Sequence, residues 1–130
     1  MAEIVRHYFE AFNAKDIPAM LACLSPDVAH HVNEGDVRIG KDAFAAFCDH
    51  MSACYDETLE DMVIFDAPER GRAAAEYMVR GRYIGTDAGL PEARGQRYLL
   101  PAGSFFDLAK GRITRATTRY NLSDWLRQVS

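Results

Sequence analysis

The strongest constraint on this chain is a change of period at Tyr55-Asp56. Before it, apolar residues recur at three- and four-residue steps; after it, they alternate, so helices come first and a sheet second. Ile4, Val5, Tyr8, Phe9 and Phe12 form one apolar stripe, broken at residues 13–16. Asp16 can cap a second helix that carries Pro18 in its first turn and buries Ile17, Met20, Leu21 and Leu24, and Ser25-Pro26-Asp27 ends it. A short strand over 28–32 and a turn at Glu34-Gly35-Asp36 lead to a third helix. It opens at Gly40 and has Phe44, Phe47, Cys48 and Met51 on its buried face.

Extended segments follow at 58–66, 72–84, 96–108 and 112–121, the last two joined by a hairpin link ending in Gly111. Asn121 or Ser123 caps a last helical turn through Trp125 and Leu126. Helices segregated from an antiparallel sheet define the α+β class, and without repeats or a dividing linker residues 1–130 read as one domain. The strand over 72–84 puts Ala73, Ala75, Tyr77, Val79 and Tyr83 on one face and Ala74, Glu76, Met78, Arg80 and Arg82 on the other. Neither face is uniformly polar, so one should pack on the helices and the other on a second copy of the chain, making a homodimer.

Several function classes drop out. Fifteen basic against nineteen acidic residues, with the arginines scattered, argue against nucleic acid. Cys23, Cys48 and Cys54 have neither paired nor metal-ligand spacing, so no disulfide framework and no metal site is expected. Glu3, Arg6 and His7 interrupt the N-terminal apolar residues, and no run is long enough to span a membrane; a cytoplasmic protein without a membrane partner is expected. No glycine motif cradles a phosphate, so no nucleotide, flavin or other cofactor is implied.

Local wording then narrows the fold. The segments YFEAFNAKD and LSPDV, the helix start Gly40-Lys41-Asp42-Ala43-Phe44, and the series Tyr83, Gly85, Gly89-Leu90-Pro91, Gly95, Phe105-Phe106, Gly111-Arg112-Ile113 and Tyr120 resemble the NTF2-like superfamily, in particular its SnoaL-like and ketosteroid-isomerase-related members. The resemblance implies a cone in which three N-terminal helices pack on a curved antiparallel sheet around an apolar pocket for a small apolar molecule. It does not fix the chemistry, because that scaffold hosts isomerases, cyclases, dehydratases, epoxide hydrolases and proteins with no chemistry.

A ketosteroid isomerase uses an aspartate base with a tyrosine and a protonated aspartic acid as oxyanion donors. The resemblance places Tyr8 at the tyrosine, but the base falls at Val32 and the acid at Gly103, so both carboxylates are missing. His30 shares strand parity with Val28 and Val32 and is the replacement base; His31 points the other way. Thr118 and Tyr120 on the last strand, Pro101, Gly103 and Phe105 on the one before, Tyr77, and Cys48 from the third helix should line the pocket. Asn33 and Glu34 stand near its expected mouth, as a turn or a second base. If the parity of the 72–84 strand is reversed, Glu76 turns inward as a carboxylate beside His30; otherwise it pairs with Arg97 or Arg80 across the sheet. Three functions remain: a cofactor-free isomerase or cyclase acting on an apolar carbonyl compound, a noncatalytic ligand-binding module, and dehydratase- or epoxide-hydrolase-like chemistry that needs Glu76.

Overall fold

A computed structural model describes residues 2–130. Helix α1 (Ala2–Asn13) turns at Lys15, in left-handed backbone, into α2 (Ile17–Ala22), where the Asp16 carboxylate accepts a 3.1 Å hydrogen bond from the Ala19 N–H as cap. Strand β1 (Leu24–Val32) begins earlier than the sequence pattern indicates. Leu24, read as the end of the second helix, is instead fully buried against β6, and Ser25-Pro26-Asp27 belongs to the strand. The pairing slips between Leu24 and Ala29, so Pro26 and Asp27 sit in an irregularity where a missing N–H costs no ladder bond.

The short β2 (Arg38–Ile39) pairs with β1, and α3 (Lys41–Cys54) runs directly into β3 (Tyr55–Ala67). A 3-10 turn at Pro68–Arg70 precedes β4 (Arg72–Tyr83); then come β5 (Gln96–Ala109), β6 (Arg112–Tyr120) and α4 (Leu122–Val129). The six strands form one curved, unclosed sheet in the order β2-β1-β6-β5-β4-β3. It is not wholly antiparallel, because β1 runs parallel to β6. A parallel pair needs a long crossover, here supplied by everything from α3 to β5.

One face of the sheet takes the helices. Tyr8 and Phe9 of α1 meet Phe106 edge-on, each with ring centroids 5.7 Å away, and Phe9 lies 5.3 Å from Tyr77. The expected final turn is a full amphipathic helix of eight residues. Its Trp125 packs 5.0 Å from Tyr83, and Gln128 exchanges hydrogen bonds of 2.9 and 3.0 Å with the backbone of Leu99.

On β4 the residues Ala73, Ala75, Tyr77, Val79 and Tyr83 face inward, whereas Glu76 is exposed on the outer face. Glu76 therefore brings no carboxylate to the interior, and it has no ion pair with Arg97 or Arg80: Arg80 pairs with Glu60 at 2.7 Å, and Arg97 lies exposed. The inward set on β5 is Tyr98, Leu100, Ala102, Ser104 and Phe106, which corrects the expectation for Pro101, Gly103 and Phe105. The adjacent Phe105 and Phe106 read equally well either way in the sequence. Pairing with β4 decides, since Tyr77 stands opposite Ala102 and Ala75 opposite Ser104.

Gly81 locks that pairing. It stands opposite Tyr98, and a Cβ there would lie 2.4–2.5 Å from three atoms of the Tyr98 phenol, which crosses β4 to reach β3. Gly81→Ala is expected to lower stability in urea unfolding by about 1–3 kcal/mol through overpacking. Gly103→Ala, whose Cβ meets only ordinary contacts at 3.6 Å or more, should cost less than about 0.5 kcal/mol; equal losses would contradict the assigned faces.

Candidate functional site

Between the helices and the sheet lies a cavity of about 370 Å³, walled mainly by aliphatic and aromatic side chains. Tyr8 of α1, His30 and Val32 of β1, Cys48 of α3, Tyr77 of β4, and Thr118 and Tyr120 of β6 all line it. Gly103, Phe105, Glu76 and Arg97 do not, for the reasons of strand parity given above. Asn33 is also absent from the lining. It adopts left-handed backbone (φ 48°), and its side-chain oxygen accepts a 2.9 Å hydrogen bond from the Tyr120 N–H, so it ties the end of β1 to β6. Glu34 is exposed in the turn that follows.

The chemistry begins with Tyr8. Its ring sits among Phe9, Phe44 and Phe106, and no group among the described residues takes its hydroxyl in a hydrogen bond. Burial, foremost, holds its pKa far above the ordinary phenol value, so it remains a proton-bearing donor.

His30 is held between Phe44 and Phe47 at 4.6 and 4.7 Å. The residue is only 4 % exposed, and its Nδ1 is sealed from solvent without a partner. Burial, followed by the charges of Arg38 and His31, pushes its pKa down to about 4, so the imidazole is neutral near neutral pH. Arg38 in turn lies over the Phe47 ring at 4.4 Å. Cys48 is pushed up to about 11 by burial and then by Asp49, which makes it a thiol and a poor nucleophile.

A chain of hydroxyls links the lining residues Tyr77 and Thr118 through the buried Ser104. Tyr77 bonds the Ser104 Oγ at 2.7 Å, and Ser104 bonds the Thr118 Oγ1 at 3.0 Å. Ser104 escaped the sequence reading through the same parity error that put Gly103 inside. Tyr120 is pushed up to about 12 by burial first and then by Glu57, Glu34 and Asp87.

The more important omission is Glu57, a lining carboxyl group whose Oε2 accepts a 2.6 Å hydrogen bond from the Tyr98 hydroxyl. Burial raises its pKa above the ordinary value, against the opposing effects of the Tyr98 bond and Lys15. The sequence pattern started this strand at residue 58, three positions too late. Two signals were available: Tyr55, Glu57 and Leu59 share a parity, and Gly81 interrupts an otherwise well-filled strand.

Outside the cavity, His50, Cys54 and Asp87 bring donor atoms within 4.8 Å of one another, a grouping that cysteine spacing alone did not reveal. Within it, His50 and Asp87 are bonded at 2.9 Å, and Asp87 also receives the Tyr55 hydroxyl at 2.7 Å. No described helix is long and apolar enough to cross a membrane.

A curved sheet wrapped by helices around an apolar cavity is the architecture of the SnoaL-like domain. That family matches residues 5–116, and the chain belongs to it. A protein from Silicibacter sp. TM1040 is similar at 67 % identity, with 99 % of this chain and 94 % of that one covered and a TM-score of 0.97. One from Pseudomonas putida KT2440 is similar at 51 % identity over 98 % and 96 %, with a TM-score of 0.96. Both are described as a "putative polyketide cyclase". At 19 % identity, an NTF2-like protein from Burkholderia pseudomallei K96243 covers 99 % of this chain and 96 % of its own with a TM-score of 0.79, which shows the shared fold. No curated protein matches the sequence.

The neutral burial of His30 makes stability depend on pH. Its folded pKa of about 4 lies below the ordinary 6.5, so the unfolded chain binds the extra proton between those values. Stability should therefore fall as pH drops from about 6.5 to about 4, by roughly 3 kcal/mol from this group. Chemical unfolding across that range checks it: His30→Phe should flatten the slope, and an unchanged slope would mean that His30 does not titrate as described.

Proposed function

We propose that this chain is a cofactor-free acid–base enzyme of isomerase or cyclase type, acting on an apolar small molecule that carries a carbonyl group. The observation that carries this reading is that the Tyr8 phenol, without a hydrogen-bond partner among the described residues, and the His30 imidazole line one mainly apolar cavity. Tyr8 donates a hydrogen bond to the carbonyl oxygen, and negative charge developing there strengthens it. Neutral His30 accepts a proton from the adjacent carbon, and the enolate formed beside it offsets the cost of a buried imidazolium. The names of the close relatives fit a carbon-framework reaction of this kind. Isomerisation with two aspartates is not proposed, because among the described residues no aspartate of β1 or β5 lines the cavity.

Deuterium exchange into a simple aryl ketone tests the reading. With 2-acetylnaphthalene in heavy water, the protein should accelerate loss of the methyl ketone signal in proton NMR. His30→Ala should remove at least about 100-fold of that rate. Tyr8→Phe should slow it by about 10- to 100-fold while changing affinity little. Because His30 acts as a base, the rate should fall below about pH 4 as the imidazole protonates. Binding without accelerated exchange would favour the second reading, a noncatalytic ligand carrier, which the two missing family carboxylates support.

The assembly we propose is a homodimer formed by the outer sheet face. Val63, Phe65, Leu99 and Phe105 are 40–52 % exposed there, and ion pairs of both signs, Arg115 with Asp107 and Arg80 with Glu60, flank them. Phe105→Glu should convert a dimer into a folded monomer in sedimentation equilibrium; a wild-type monomer at tens of micromolar would rule the assembly out. A cytoplasmic location is proposed from the three free cysteines.

A further inference from the structure

The reaction above uses Tyr8 and His30 and leaves Glu57 without a task. Its Oε2 is taken by Tyr98, its backbone oxygen by Lys15, and its Oε1 has no partner among the described residues, although the side chain lines the cavity. A carboxyl group has more accepting positions than one phenol can fill. Oε1 is therefore free to accept from a molecule that enters the cavity. The support behind it is specific, because Tyr98 reaches Glu57 only across the space that Gly81 leaves open. A brace between β5 and β3 would not require the carboxyl group to open into the cavity.

Glu57 also occupies a different part of the sheet from His30. It stands in the row of Gly81 and Tyr98, whereas His30 stands in the row of Ala116 and Phe106. Between those rows, Leu100 and Ala102 of β5 face inward and line the cavity. A ligand spanning both needs a polar group at each end and an apolar body.

The charge around Glu57 selects the second group. Asp56 lines the cavity beside Glu57, but Lys15 already lies 3.8 Å from it and at the Glu57 backbone oxygen, so a cationic end would meet a resident ammonium. An anionic end would meet the carboxyl group itself. A neutral hydroxyl can donate to Oε1.

We propose that Glu57, held in place by Tyr98, selects a hydroxyl at the end of the substrate remote from its carbonyl, so that the pocket takes flat apolar hydroxy-ketones. The assignment of the carbonyl end rests on the proposed function; the hydroxyl end stands on Glu57 alone.

Two probes separate these claims: 6-acetyl-2-naphthol, which has both groups, and 2-acetylnaphthalene, which lacks the hydroxyl. Calorimetric titration of the wild type should show the hydroxy-ketone binding about ten-fold more tightly, the scale of one buried hydrogen bond. Glu57→Leu should abolish that preference and leave the affinity for 2-acetylnaphthalene within about three-fold, with Tyr98→Phe reducing it in part. Thermal unfolding confirms that each variant is folded. Equal affinities in the wild type, or a preference that survives in folded Glu57→Leu, would overturn the proposal. If the preference vanishes in Glu57→Leu while Tyr8→Phe affects neither probe nor exchange, the hydroxyl site stands and the carbonyl assignment falls.

Discussion

The interior depends on the register between β4 and β5. With Gly81 opposite Tyr98, every second residue of β5 from Tyr98 to Phe106 faces the helices, and the Tyr98 hydroxyl reaches Glu57 two strands away. A slip of one residue would exchange Ser104 for Gly103 and Tyr98 for Arg97, removing both the hydroxyl chain and the bond to Glu57. A missing side chain thus carries more positional information than many that are present.

Inside that frame, the cavity combines mainly apolar walls with polar groups that keep unfilled hydrogen-bonding positions. Apolar walls leave the buried His30 Nδ1 without a partner, while the Tyr8 hydroxyl and the Glu57 Oε1 take none from the described residues. The same walls set the protonation states: Tyr8 is kept protonated and His30 unprotonated by loss of solvation before any neighbouring charge contributes. Both groups are therefore in the forms a proton transfer needs before a substrate arrives. The stability given up by burying them is the counterpart of that readiness.

Much of the fold was legible in the sequence because its signals are local. The change of period at Tyr55, the Asp16 cap and the hairpin at Gly111 each report on a few neighbouring residues. The placement of Tyr8, His30 and Tyr120 was legible for a related reason: each lies on an element with clear parity. What escaped required partners distant in sequence. Two adjacent phenylalanines give no parity on their own, so the sequence alone puts Gly103 and Phe105 inside, and only pairing with β4 turns them out. Glu57 was missed at a boundary, where a helix passes into a strand without a turn residue. The full length of α4 was hidden because its stability comes from Trp125 docking on Tyr83, not from its own short sequence.

The parallel pairing of β1 with β6 also bears on how the molecule assembles. Leu24 meets Ile113 only after the intervening chain has been made, so the strand that holds His30 has only the two-residue β2 as a sheet neighbour until β6 exists. Closing so large a loop carries an entropic cost that local helix and hairpin contacts do not. The α1–α2 pair and the β3–β4–β5 meander can form from near neighbours, while the wall that carries His30 is completed last. Until then its apolar lining is open to solvent and to other chains, so the cavity that serves binding in the finished protein is a point of exposure in the nascent one.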